Sequence, residues 1–271
     1  MAETIEGADE LIARARSVYA ECRSYADEGA QTRRFERGAG SETHTHTSEL
    51  RFKTRWKRPS AFLFEYVTPP HFKTWDAPES SWERYVIWTT PDGPRSWWTI
   101  AEKREQPESL GHALGAATGV SGGTASHIPS LLRVMEGPAH WFPSASGFWG
   151  ELLDHDGRQC LRIPMHVGTD ERRLWLERST GLVLRFDERS EFTAERQRAD
   201  CFQRVERLRS EMAQDPASAS RYGSMLRRFE REAEEQARKL PEPFTSFSST
   251  VYRPRLEPEL RDEDFFFVPP S

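Results

Sequence analysis

Between Ser48 and Thr68 the chain reads S-E-L-R-F-K-T-R-W-K-R-P-S-A-F-L-F-E-Y-V-T, and its first half alternates without a break. Leu50, Phe52, Thr54 and Trp56 fall on one side, Arg51, Lys53 and Arg55 on the other. A period of two over seven residues is the mark of a β-strand with one apolar and one wet face. After Arg58-Pro59 the alternation restarts with Phe62, Phe64 and Tyr66. Pro59 cannot donate to a ladder and biases Arg58 toward extended geometry, so a turn or strand start belongs there. Two adjacent strands thus set a wall of large aromatics on one sheet face. The rest of the chain has to cover it.

Upstream, residues 4–21 predict a helix, with Thr4 as N-cap and Ile5, Ala8, Leu11, Ile12, Ala15 and Tyr19 at helical spacing. Residues 24–35 read as extended, and the polar, β-prone residues 41–47 lead into the Ser48 strand. Downstream, Trp82, Val86 and Trp88, the turn P-D-G-P, then Trp97, Trp98 and Ile100 predict an aromatic hairpin. Residues 107–117 and 126–135 predict two short helices around the Gly-rich break T-G-V-S-G-G, a candidate lid. Strands resume at 148–154 and 159–167, the latter with Leu161, Ile163, Met165 and Val167 in alternation. A second hairpin follows at 172–177 and 182–192, closed at Gly181. Residues 195–240 carry Cys201, Val205, Leu208 and Met212, then Tyr222, Met225, Leu226, Phe229, Ala233 and Leu240, at helical intervals. They predict a helical hairpin broken near Pro216, inserted before a last strand at 246–252. Strands joined by short turns, with no strand–helix–strand alternation, argue against a parallel α/β fold and for an antiparallel sheet with helices on one face.

Nine Trp and sixteen Phe among 271 residues place an aromatic interior under a heavily charged surface. A net charge of −5 offers no basic field for a polyanion. Cys22, Cys160 and Cys201 are too far apart for a zinc motif and read as buried thiols, with a Cys22–Cys160 bridge as the alternative in an exported protein. No apolar run spans a membrane, and the first residues lack a signal peptide's features. The chain as written reads as cytoplasmic, and as periplasmic if a leader has been removed.

Three segments carry a family resemblance. W-K-R-P-S-A-F-L-F at 56–64 resembles the strand pair of the LolA/LolB-like lipoprotein carriers. R-L-W-L-E-R-S-T-G-L-V-L-R-F at 173–186 is similar to their late hairpin, and P-E-L-R-D-E-D-F-F-F-V-P-P to their usual ending. With the first helix and the mid-chain lid, the resemblance covers most of the chain except the helical insert. It implies an unclosed antiparallel half-barrel with helices over its concave face, and carriage of acyl chains across the periplasm. It also implies that Arg58 hydrogen-bonds the lid, at the carbonyls of residues 119–123, and holds it closed.

The candidates for chemistry have plainer readings. Gly119-Val120-Ser121-Gly122-Gly123 satisfies G-x-S-x-G, with Asp154 and His166 following in order, but a nucleophile elbow needs a strand before the serine, and here a helix end precedes it. His44 and His46 share a strand face with no third ligand placed by spacing. The acidic residues Asp262, Glu263 and Asp264 sit in a Pro-rich tail, where a solvated loop is the simpler reading. The stripe Arg51, Lys53, Arg55, Lys57 and Arg58 reads as the charged outer face of a strand.

The expected fold is therefore α+β, one domain over 1–271, a half-barrel with a helical lid and a helical hairpin insert at 195–240. The expected function is non-catalytic, with no cofactor and no metal. A hydrophobic small molecule, lipid or lipidated protein segment would bind at Phe52, Trp56, Arg58, Phe62, Phe64, Tyr66, Trp88, Trp98, Leu161 and Ile163. A packed core without ligand explains the same aromatics, and a protein–protein interaction module using the charged insert is the alternative function.

Overall fold

The computed structural model describes the chain except residues 1–2, 7, 39–42, 70–77, 101–102, 136, 138, 145, 215–217, 240 and 271. The chain divides into two compact units. The first comprises 1–33, 47–188 and 248–271, and the second 34–46 and 189–247.

The first elements are β1 (Glu3–Glu6), α1 (Ala8–Glu21), β2 (Ser24–Arg37), β3 (His44–Lys57) and β4 (Ala61–Thr68). The hairpin β5 (Glu83–Thr90) and β6 (Gly93–Trp98) and the short β7 (Lys103–Glu105) precede α2 (Leu110–Val120) and α3 (Thr124–Leu131). Then come β8 (Trp149–His155), β9 (Arg158–Val167), β10 (Asp170–Glu177), β11 (Val183–Phe192), α4 (Ala194–Gln214), α5 (Ser218–Arg238), β12 (Phe244–Tyr252) and β13 (Arg255–Leu256). The strands form one sheet in the order β1-β8-β9-β10-β11-β12-β2-β3-β4-β5-β6-β7, with β13 beside β2. β1 and β7 end this path, so the sheet is antiparallel and unclosed: an α+β half-barrel, as the alternation predicts.

The chain start departs from expectation. Residues 3–6 are not the first turn of a helix but a strand, Glu3–Glu6, paired with Trp149–Leu152 of β8. The helix starts at Ala8 and buries Ala8, Leu11, Ile12, Ala15 and Tyr19. Thr4 therefore caps nothing; pairing the β8 edge satisfies backbone groups that a helical turn would leave open.

In the first unit, α1, α2 and α3 bury their apolar stripes against one face of the sheet. That core gathers Phe52, Trp56, Phe62, Phe64 and Tyr66 with Leu161, Ile163, Leu174 and Leu176, and with Leu11, Leu114 and Ile128 of the helices. The opposite face holds a separate cluster, Leu63, Val86, Trp88 and Trp97, under Phe265, Leu260 and Phe267 of the C-terminal tail. The basic stripe is used up there. Lys53 pairs with Glu65, Arg84 reaches the same carboxylate at 3.0 Å, Arg55 reaches Asp264 at 3.3 Å, and Lys57 donates to the Leu260 carbonyl. Asp264 also accepts the Arg261 amide, so this acidic tail is docked rather than solvated.

In the second unit, α4 and α5 bury Cys201, Val205 and Ala233 against Leu226 and Phe229. The side chain of Tyr222 and the positions of Pro216 and Leu240 lie outside the described residues. The base of the hairpin is closed by stacked Phe192 and Phe244 rings 4.5 Å apart and by Gln197 Nε2 donating to the Glu242 carbonyl. Because these ends lie together, a short Gly-Ser loop in place of residues 195–240 costs little closure entropy. We expect that deletion to leave a cooperative melt; a broad, non-cooperative transition would mean that the hairpin completes the core.

All three cysteines are free and buried. None of the described helices is long and apolar enough to cross a membrane.

Candidate functional site

The wall is built by register. Across β3 and β4, Phe52 faces Tyr66, Thr54 faces Phe64 and Trp56 faces Phe62, so one parity of each strand makes one face. Across β4 and β5 the parity switches: Phe64 faces Ile87, Tyr66 faces Tyr85, and Leu63 faces Trp88. Trp88 therefore lies on the outer face under Phe267, its ring 5.3 Å away, and leaves the set of ligand candidates. Tyr85 takes its place. Tyr85 stacks on Tyr66 at 5.9 Å and meets Trp98 edge-on at 6.0 Å. Trp98 thus stays on the inner face as expected, half-buried, its indole N–H without a partner among the described residues. On the other flank, Leu161 faces Leu176 and Ile163 faces Leu174, all buried.

Arg58 does not reach the Gly-rich turn. Its backbone N–H donates to the Arg23 carbonyl at 2.9 Å, its Nε to Cys22 O at 3.0 Å, and its Nη2 to Ala20 O. These are the last carbonyls of α1, whose final turn carries no basic residue. Arg58 thus supplies the cation that a helix C-terminus favours, from the turn after β3, with its guanidinium 4.9 Å from the Trp56 ring. Arg58→Met should lower stability by about 1–3 kcal/mol and leave dye uptake by the inner face unchanged. A rise in uptake with an unchanged melt would restore the lid role.

The residue that holds the Gly-rich turn is Gln31. Its Nε2 donates to the Gly122 carbonyl at 2.9 Å and to Thr250 Oγ1 at 2.8 Å. Gly122 and Gly123 both have positive φ, and a Cβ on Gly122 would lie 2.0 Å from Gln31 Oε1. A second tie is His127 of α3, whose Nδ1 lies 2.7 Å from the Tyr252 hydroxyl. The His127 ring sits between Trp141 and Phe186, at 4.8 and 5.1 Å. Burial, with the Arg172 and Arg33 charges added, pushes its pKa down to about 3, so it is neutral. Ser121 is fully buried at the end of α2, and its Oγ accepts the Ala125 amide at 3.1 Å. Asp154 and His166 are exposed on β8 and β9, so the G-x-S-x-G letters assemble no triad.

Sequence reading missed a buried carboxylate. Asp27 accepts from the Tyr25 hydroxyl at 3.0 Å and from the Thr54 amide at 2.9 Å. Desolvation dominates, and those hydrogen bonds offset it only in part, so its pKa rises to about 7. The available signal was the alternation Tyr25, Asp27, Gly29, Gln31, Arg33 on one face of β2.

The chain matches no protein-family model and no curated protein. It aligns with solved structures over nearly its whole length. One is a DUF1329 family protein from Desulfovibrio piger, at 9% identity and TM-score 0.28, covering 97% of this chain and 98% of the other. A second is a domain assigned to outer-membrane lipoprotein sorting in Vibrio parahaemolyticus, at 10% and 0.30, covering 96% and 97%. A third is a LolA superfamily protein from Nitrosomonas europaea, at 10% and 0.28, also covering 96% and 97%. These neighbours are LolA-like. Identities and TM-scores this low assign neither ligand nor role.

A groove of about 710 Å³ opens on the outer face between Arg51, Lys53, Arg84 and Arg253 and Glu28, Glu49, Glu65 and Glu79. Its charges balance, and they select no class of ligand. The described residues include no group of three metal-ligating side chains.

Proposed function

We propose that this protein binds a hydrophobic molecule or lipid chain, without catalysis, on the inner face of the half-barrel, beneath α2 and α3. The observation that carries this reading is how the aromatic wall is covered. A continuous apolar face runs from Phe52 to Trp98, and part of its cover is two short helices that turn through Gly122 and Gly123. Gln31 and the His127–Tyr252 contact tie that pair to the sheet. A cover held by a few polar contacts can lift in response to a ligand that prefers the open state. Gln31→Ala removes one tie, and we expect it to raise uptake of the apolar dye ANS while the melt stays cooperative. Equal dye binding by parent and variant, with no lipid mass on either in native mass spectrometry, would leave the face as core alone. Phe202 and Met225, exposed on α4 and α5, favour a second reading, the docking of a partner protein through the insert. Lipid uptake unaffected by the deletion of 195–240, with loss of partner capture, would separate the two.

A further inference from the structure

Beside the aromatic wall lies a cluster of charge that the fold does not balance. Phe52 meets Tyr252 edge-on at 5.5 Å, Tyr252 contacts His127, and the charges of Arg33 and Arg172 both bear on His127. Arg172 is paired: its Nε and Nη2 lie 2.8 and 2.7 Å from Glu188 Oε1. Arg33 has no ion pair among the described residues, and the carboxylate whose charge it feels is that same Glu188. Two guanidiniums thus share one carboxylate beside a neutral histidine, leaving one positive charge in excess. Burial already disfavours the charged form of Arg33, so an uncompensated cation there is costly.

Two further observations mark the same spot as unfilled. Gln31 Oε1 is buried and has no partner among the described residues. The point where a Gly122 Cβ would stand is 2.0 Å from that oxygen and 2.7–2.8 Å from the Arg33 guanidinium, so both aim under the turn between α2 and α3. Arg172 and Glu188 keep 18% and 30% of their side-chain surface exposed, so the cluster opens to solvent at the rim of the apolar face.

We propose that the molecule bound on the inner face is an amphiphile with one anionic head group, a carboxylate or a phosphate ester. Arg33 holds the head group beneath the Gly122–Gly123 turn, and the chain runs over Phe52 toward the aromatic wall. This rests on the inner face taking an apolar ligand at all. A planar guanidinium offers several donors to such an anion, and one negative charge cancels the excess. Arg33 is the residue to test, because removing Arg172 would orphan Glu188.

The test titrates the full chain with cis-parinaric acid and with its methyl ester, which differ only in the charged head. Parent protein should bind the acid roughly tenfold or more tightly than the ester, the ratio expected of a charged hydrogen bond. Arg33→Gln should erase that ratio without weakening the ester, and Arg33→Lys should keep most of it. If Arg33→Gln fails to fold, the acid-to-ester ratios of the parent and of Arg33→Lys decide. Equal binding of acid and ester by the parent overturns the head-group site while leaving the apolar reading standing. Binding of neither overturns both. Stabilisation by inorganic phosphate that depends on Arg33, without parinaric acid binding, makes this a site for a free anion and overturns the amphiphile.

Discussion

Asp27→Asn is expected to stabilise the protein by about 4 kcal/mol at pH 8 and by almost nothing at pH 4. Asp27 titrates near 7 in the fold against an ordinary value of 3.8, because burial disfavours its charged form. Below about pH 4 both folded and unfolded chains hold the proton. As pH rises the unfolded chain releases it first, and stability is lost, about tenfold in the folding constant per pH unit, until the folded carboxyl also ionises near 7. Asparagine keeps the acceptor for the Thr54 amide and offers an amide N–H toward Tyr25, with no charge to desolvate. His127 works in the opposite sense. Its folded value near 3 lies below the ordinary 6.5, so stability is lost as pH falls from 6.5 toward 3. The two slopes cancel between about pH 4 and 6.5 in the parent. Urea titrations from pH 4 to 8 should therefore show the Asp27→Asn advantage growing with pH, and an advantage of His127→Gln growing as pH falls. An Asp27→Asn difference that does not vary with pH would mean that the carboxylate is solvated.

The second large effect is at Gly29, in the middle of β2. A Cβ there would stand 2.4 Å from Phe52 Cζ and 2.4 Å from the Val251 carbonyl oxygen. The Phe52 ring is held edge-on to Tyr252, and the carbonyl belongs to β12, so neither yields without moving the sheet. Gly29→Ala should cost about 3 kcal/mol, the upper range for an overpacked core. Adding Phe52→Leu should recover part of that loss, because the two sites share one contact. A cost below about 1 kcal/mol, or strict additivity in the double mutant, would show that the close approach is absent.

The strand pairs of the sheet were legible because alternation is a local signal. The sequence of β3 and β4 alone orders Phe52, Trp56, Phe62, Phe64 and Tyr66 on one face. Trp88 was misplaced because strand phase does not carry across a long connection. Residues 69–82 separate β4 from β5, and only the register, Leu63 opposite Trp88, puts that indole outside. Arg58 was misplaced for a different reason. Its partners, the Ala20 and Cys22 carbonyls, lie 38 and 36 positions away on a helix end, and carbonyls carry no side-chain signature. Asp27, Gln31 and Arg33 were passed over because polar residues in a strand look like a wet face. Their phase with Tyr25 was the clue that they point inward. Residues 3–6 show the limit of propensity: the free edge of β8 took a segment whose pattern suited a helix.

The most direct measurement of whether the inner face takes a ligand is photolabelling with a diazirine-bearing fatty acid, followed by peptide mapping. Binding beneath α2 and α3 predicts adducts on peptides carrying Phe62 to Tyr66, Tyr85, Leu114 or Ile128, suppressed by excess unlabelled fatty acid. Adducts confined to exposed positions such as Phe202 and Met225, or none that excess fatty acid suppresses, would contradict it.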